Sequence, residues 1–259
     1  MPVAARKITA QDTRERCTTG VDSLDSILNG GIPRGNTILI TGSCGTGKTT
    51  LSVEFLIHGA LAGENGLFLS VTEAHEKLLA NMMPYDFMRK DLLESGRLTF
   101  IDMPVLYHKL GLDKSEFTLE EVELLTDSIT KLVGEMGVKR LVLDSVTSVC
   151  FQLKSEEKIR DFVLKLGKGL AEKGCTSLLV SEILPSDMRY STYGVEEAIA
   201  DGIILMGNYE RRGDLLRTLQ VVKMRGTSHS RAKYVLDITP LGVLMVPLLK
   251  GGGGGGNAS

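Results

Sequence analysis

The chain has 259 residues, enough for one large domain or two small ones. With 42% hydrophobic and 24% charged residues it has the makeup of an ordinary globular protein, and a formal net charge of −2 argues against a protein that coats nucleic acid. No apolar stretch approaches the length of a membrane span, and residues 1–11 lack the apolar core of a secretory signal, so a cytoplasmic location is expected. Cys17, Cys44, Cys150 and Cys175 are scattered with no C-x-x-C pair, which argues against a structural zinc site or a redox dithiol.

Residues 1–16 are charged and polar and read as a leader to a domain over 17–249. Leu24, Ile27 and Leu28 share one face of a short helix, stopped by Gly30-Gly31 and turned by Pro33 to Gly35. Asn36–Thr41, rich in Ile, Leu and Thr, reads as a buried strand. Gly42-Ser43-Cys44-Gly45-Thr46-Gly47-Lys48-Thr49 follows with the spacing G-x-x-x-x-G-K-T of a phosphate-binding P-loop, and a helix is predicted over Thr49–Ala62. Strand, glycine turn and helix start together aim backbone N–H groups and a helix dipole at one anion. Lys48 adds a point charge for the phosphates, and Thr49 offers a hydroxyl to Mg²⁺. Cys44, inside this loop, reads as a position that tolerates a small side chain.

Further strands are predicted at Gly66–Val71, Leu98–Ile101, Arg140–Asp144 and Ser177–Ile183. Further helices are predicted at Ala74–Met82, Asp86–Glu94, Thr118–Met136, Ser155–Glu172 and Val195–Ala200. Such alternation argues an α/β fold, a mostly parallel sheet with helices on both faces. From Ile203 the helices stop. Ile203–Met206, Leu215–Met224, Lys233–Asp237 and Val243–Val246 read as antiparallel strands at the sheet edge, with a turn at Arg211–Asp214. Residues 250–259, glycine-rich, read as a flexible tail.

A P-loop needs a second acid for the magnesium shell. Asp144 emerges after Leu141-Val142-Leu143, at the strand edge where ligands bind in open α/β sheets. Glu73 ends another apolar strand and suits polarisation of an attacking water; its alternative is an acid favoured at a helix start. Ser181 and Glu182 reach the same edge as weaker candidates for sensing the γ-phosphate. From Arg211 to Lys233 there are seven Lys and Arg and one acid, Asp214. On a strand, Lys223 and Arg225 would share a face. Two such cations suit a neighbouring subunit's phosphates, a nucleic acid, or a solvated edge strand guarded by charge; the charge pattern does not choose.

At these residues the chain resembles the KaiC family of RecA-like P-loop ATPases, from about Thr18 to Leu248. The resemblance is carried by Thr19–Pro33, the P-loop, Asp144–Val149, Tyr193–Glu197 and, most specifically, Lys223–His229. It implies a RecA-like core that binds ATP with Mg²⁺ and assembles as a homo-oligomeric ring, usually hexameric, with nucleotide between subunits. It implies that Gly45, Thr46, Gly47, Lys48, Thr49 and Thr50 hold the nucleotide in one subunit. Lys223 and Arg225 would then reach it from the next, with Met224, Thr227 and His229 lining that pocket. Thr239 matches a position close to the base, and Pro84 another nucleotide-contacting one. One departure concerns the family's two adjacent glutamates, reduced here to Thr72-Glu73. Tandem domains and autophosphorylation, known of the clock protein, are not carried over. The expected function is a ring-forming Mg·ATP hydrolase. Its alternatives are a slow nucleotide-dependent interaction module with a protein partner, an autokinase, or a DNA-directed relative through Leu184–Tyr190.

Overall fold

The computed structural model describes residues 15–185 and 189–248. The predicted leader up to residue 14, the centre of the Leu184–Tyr190 segment and the glycine-rich tail lie outside the described residues. β1 (Arg16–Cys17) and β2 (Ile32–Pro33) form a short antiparallel ribbon around α1 (Asp22–Ile27). Then follow β3 (Thr37–Gly42), α2 (Lys48–Leu61), β4 (Asn65–Ser70), α3 (His75–Met82), α4 (Lys90–Glu94), β5 (Leu98–Asp102) and α5 (Met103–Leu110). Next come α6 (Leu119–Glu135), β6 (Val138–Asp144), α7 (Val146–Leu153), α8 (Glu156–Glu172), β7 (Thr176–Glu182) and α9 (Glu196–Ile199). The chain closes with β8 (Gly202–Arg211), β9 (Asp214–Met224), β10 (Lys233–Thr239) and β11 (Gly242–Pro247).

Among the described residues, nine strands make one sheet in the order β11-β10-β9-β8-β3-β7-β6-β4-β5. The six from β8 to β5 are parallel, and β9, β10 and β11 add antiparallel. The central strands are apolar throughout because both faces are covered. Alternation divides their side chains between two cores: Ile38, Ile40, Val142 and Val180 pack toward α1–α4, and Leu39, Leu141, Leu143 and Leu179 toward α5–α8. The long outer helices start on side-chain caps. Thr118 and Glu121 form a reciprocal capping box on α6, and the Ser155 hydroxyl accepts from Lys158 N–H on α8. Their apolar stripes, Val122, Leu125, Ile129 and Val133 on α6 and Ile159, Phe162, Val163 and Leu166 on α8, are buried.

The alternating α/β order and the antiparallel C-terminal run hold as expected. The helix expected over Asp86–Glu94 is shorter and starts at Lys90. After Pro84 the chain makes successive turns, Tyr85 N–H to Met82 O and Met88 N–H to Tyr85 O, and Arg89 is extended. Two helices were not expected. α5 follows β5 without a loop and has Pro104 in its first turn, where the missing N–H costs nothing. α7 begins on a Ser145 cap, its hydroxyl accepting Ser148 N–H. Among the described residues no helix is long and apolar enough to cross a membrane.

One buried charge network ties the first core to the sheet. Arg140 on β6 is 1% exposed. Its Nε donates to Glu64 at 2.6 Å, Nη1 donates to the carbonyls of Thr18 (2.7 Å) and Phe55 (2.8 Å), and its guanidinium lies over the Phe55 ring. Arg34 pairs with the other oxygen of Glu64. The arginine fits only because α2 carries Gly59 beside it: a Cβ there would lie 2.2 Å from Arg140 Cδ and Nε. In an exposed helix Gly→Ala gains about 1 kcal/mol. Here overpacking against an immobile, hydrogen-bonded arginine outweighs it. Gly59→Ala should therefore lose about 2 kcal/mol or more in urea denaturation; an unchanged or raised midpoint would refute the packing argument.

Candidate functional site

β3 ends between β7 and β8, with Gly42 opposite Glu182 and Met206, so the P-loop leaves from the carboxyl edge of the sheet. Gly47 caps α2 with φ 94°, a left-handed conformation that glycine adopts without strain. A Cβ there would also lie 2.6 Å from Ile238 Cδ1 of β10, so that side chain would have to shift. Gly45 also has positive φ, and a Cβ there would meet nothing within 4 Å, leaving the loop open at its apex. Thr46 is buried and its hydroxyl donates to the Ser43 carbonyl at 2.9 Å, which holds the loop in its curl. Lys48 is buried, and its ammonium donates to the carbonyls of Gly42 and Ser43, both at 2.9 Å. Burial lowers its pKa, an effect opposed by Glu182 and Asp144. Thr50 is buried behind the loop, and Cys44 is exposed.

Register brings the predicted acids to the same edge. Ser70 pairs with Asp144, and Asp144 with Val180, so β4, β6 and β7 end together. The Thr49 hydroxyl donates to Asp144 Oδ2 at 2.7 Å. Burial pushes the Asp144 carboxyl up, the Thr49 bond and Lys48 pull it down, and Glu182 and Glu73 push it up again. Glu73 and Glu182 are thus close enough to be felt electrostatically at Asp144. Glu73 itself pairs with Lys77 Nζ at 3.2 Å and receives a bond from Asn81 at 3.4 Å. Ser181 is buried and shares a hydrogen bond with Thr147, whose hydroxyl also accepts Glu182 N–H.

Hard oxygens at Thr49 and Asp144 suit Mg²⁺, which takes one or two protein ligands and completes its shell with phosphates and water. The open P-loop, with Lys48 satisfied only by loop carbonyls, suits a polyphosphate. The residues present fit Mg·ATP.

The β10–β11 turn leans over this edge. Thr239 donates its hydroxyl to Gly242 O at 3.0 Å, and Asp86 N–H donates to Pro240 O at 2.8 Å. Pro84 and Thr239, distant in sequence, thus belong to neighbouring turns. A residue not singled out in the sequence is Arg217 of β9, whose Nε donates to Gly45 O at 3.0 Å. It was one charge among seven, and only strand pairing shows which of them faces the P-loop.

Lys223 and Arg225 are elsewhere. β9 runs antiparallel to β8, so Gly202 pairs with Met224 at the end of the sheet where β3 begins. At about 3.3 Å per residue, Arg225 lies roughly 15 Å from the start of the chain's own P-loop. Arg225 is past the strand end, yet both cations converge on the end of α9. Lys223 Nζ donates to Ala200 O (2.6 Å) and Glu197 O (3.2 Å); Arg225 Nη1 donates to Ile199 O (3.3 Å) and pairs with Asp201 (3.1 Å). The Met224 side chain is buried in the first core, so only its backbone faces outward. Thr227 accepts from Arg16 at 2.7 Å, and His229 Nδ1 lies 3.2 Å from Ser230 O.

A family model described as the KaiC ATPase matches residues 17–250. The chain belongs to the KaiC ATPase family. A UPF0273 protein of Pyrococcus horikoshii is 34% identical over 239 residues, 90% of this chain and 94% of the relative. One from Methanopyrus kandleri is 35% identical over 240 residues, covering 90% and 92%. The circadian clock oscillator protein KaiC of Acaryochloris marina is 30% identical over 232 residues, 89% of this chain but 44% of the clock protein. The crystal structure of a KaiC-like protein from Pyrococcus horikoshii superposes with a TM-score of 0.76 at 33% identity, covering 90% of this chain and all of that one. The KaiC-like domain is thus a P-loop ATPase domain of the RecA-like class.

A buried acid supports the site from below. Glu54 of α2 has a side chain 4% exposed and accepts Val243 N–H at 2.8 Å, holding β11 and the Thr239 turn against the P-loop helix. Burial raises its pKa to about 7, and His58, 4.0 Å away, has its own pKa lowered by burial. A raised carboxyl pKa means the folded protein binds the proton more tightly than the unfolded chain. Stability should therefore fall as pH rises from about 4.5 to about 7 and carry the full penalty above, about 3 kcal/mol. Glu54→Gln removes this titration. Its stability relative to the parent should rise by about 2–3 kcal/mol between pH 5 and pH 8 in urea titrations; a difference independent of pH would refute the assignment.

Proposed function

We propose that the protein hydrolyses ATP at sites shared between copies in a ring, hexameric as the resemblance implies. One copy supplies Gly45–Thr50, Asp144 and Glu73, and the next supplies Lys223 and Arg225. The observation that carries this reading is the position of the two cations: convergent, and on the sheet edge opposite their own P-loop. They serve no phosphate bound in the same chain, but a head-to-tail contact would bring them to the next copy's.

Within that site the P-loop N–H groups and Lys48 hold the phosphates. Mg²⁺, held by Thr49 with Asp144 beside it, would neutralise charge on the phosphate oxygens. Glu73 accepts a proton from the water that attacks the γ-phosphorus, and the bond to the ADP oxygen breaks as the new one forms. Lys223 and Arg225 stabilise negative charge on the transferring group. Thr227 and His229 line the same side, and Pro84 and Thr239 flank the base. Glu73 bonds Lys77 and Asn81 on the helix that follows it, and the resemblance's second glutamate is absent. Those two features favour slow turnover, and hence a nucleotide-dependent interaction module, over a high-flux enzyme. A turnover below about one per minute, against 1–10³ s⁻¹ for ordinary enzymes, would decide for the module.

Glu73→Gln should lower turnover by about 10²–10⁴-fold while nucleotide binding persists. Size-exclusion chromatography with and without Mg·ATP, with turnover measured on the same fractions, tests the assembly. A Glu73→Gln protein with turnover near that of the parent removes Glu73 from the mechanism. A parent that hydrolyses ATP as a monomer removes the shared site.

A further inference from the structure

The two cations repel each other, and burial together with Arg225 lowers the Lys223 pKa. Asp201 and Glu197 oppose that effect, and Asp201 is the acid bonded to Arg225. Asp201, between α9 and β8, uses all four of its polar groups. Oδ1 accepts from Arg225 Nη1 at 3.1 Å, and Oδ2 accepts Thr37 N–H at 3.1 Å. Its backbone N–H donates to Thr37 O and its carbonyl accepts Arg225 N–H, both at 2.8 Å. Thr37 opens β3, the strand that ends in the P-loop. Asp201 is therefore doubly bonded to the P-loop strand and doubly bonded to Arg225, while Lys223 sits on carbonyls of the turn just before it.

We propose that Asp201 is a positioning residue for ATP hydrolysis, fixing the Lys223–Arg225 pair for presentation to the neighbouring copy's nucleotide. The proposal rests on the shared-site reading. Asp201 touches no nucleotide in either copy. Its carboxylate offsets the repulsion between the cations and orients the guanidinium, and its backbone bonds set where the pair leaves the sheet. A group that must stabilise a transition state has to be held near its working place before the reaction, and small misplacements are costly.

Asp201→Asn retains an oxygen for Thr37 N–H but loses the charged partner of Arg225. Its kcat should fall by about 10–100-fold, with the KM for ATP changed by less than about 3-fold. Because a loss of folded protein would also lower apparent kcat at constant KM, turnover is expressed per folded subunit, measured by circular dichroism. The decisive measurement is turnover in mixtures. Asp201→Asn is mixed one to one with Lys48→Ala, and in parallel Arg225→Ala with Lys48→Ala. Each variant alone should be nearly inactive. In both mixtures about one quarter of wild-type turnover should return, because half the sites keep an intact P-loop and half of those face an intact cation pair. Recovery with Arg225→Ala but not with Asp201→Asn would overturn the proposal, since Asp201 would then be acting on its own P-loop. Recovery in neither mixture would overturn the shared site and the proposal with it. Full activity of Asp201→Asn alone would also overturn the proposal. Asp201→Ser, which retains an acceptor for Thr37, is carried through the same mixtures so that one variant's folding does not decide the result.

Discussion

Strand β9 runs back along β8, and this reversal sorts the chain's charges to opposite ends of the sheet. The turn that starts it, Arg212-Gly213, has both residues at positive φ, the form whose twist matches a two-residue hairpin. Once the turn is fixed, register follows as far as Ile204 opposite Val221, with Arg211 opposite Asp214 and Asn208 opposite Arg217; a bulge then shifts it by one and sets Ile203 opposite Lys223. Arg217 consequently meets the P-loop of its own chain, and Lys223 and Arg225 arrive where β3 begins. A parallel strand in the same place would have exchanged these roles. The proposed division of the site between copies therefore depends on strand direction more than on the residues' identities.

The same sheet has to carry buried charge close to its centre. Arg140, Glu54, Lys48 and Asp144 all lie on α2 or β6; the first three are buried and Asp144 is half-buried. Two are structural, and their surroundings compensate them differently. Arg140 has an acid, two carbonyls and an aromatic face, so its charge is satisfied where it stands. Glu54 has one N–H donor, so its charged form is disfavoured near neutral pH. Lys48 and Asp144 lie between these cases. The lysine rests on loop carbonyls, and the acid shares its edge with Glu73 and Glu182. An incomplete charge balance at the mouth of a P-loop is what a polyanion with a divalent cation would complete.

Much of this was legible in the sequence where local pattern and fold agree. The P-loop spacing, the apolar run ending in Asp144 and the alternating elements each followed from residues within a short window. α5 was missed because it starts directly on the strand end, with no loop composition to mark it. α7 was missed because Val146–Leu153 is largely apolar and short, and was read only as part of a motif. The segment after Pro84 reads as helix because Met88 and Leu92 have the i, i+4 spacing of one helix face, although the backbone turns twice before Arg89.

The charges between Arg211 and Lys233 show a different limit. In the sequence they form one basic stretch, compatible with an edge guard, a nucleic-acid contact or a finger toward another subunit. Composition could not separate these, because all three need only lysine and arginine. In the folded chain the stretch is not one feature. Arg217 bonds the P-loop apex, Lys223 and Arg225 gather on the end of α9, and Lys233 opens β10 opposite Gln220. An edge guard needs charges left to solvent along an outermost strand, and β10 covers the outer side of β9 only at Arg217–Gln220. Lys223, on β9 beyond that pairing, and Arg225, past the strand end, differ from such guards in what they bond. Their bonds to carbonyls and to Asp201 orient them at a fixed place, whereas solvated surface lysines have no such constraint. What sets these cations apart from a solvated edge is thus their bonding to the end of α9 and to Asp201, a long-range property that no short window of the sequence contains.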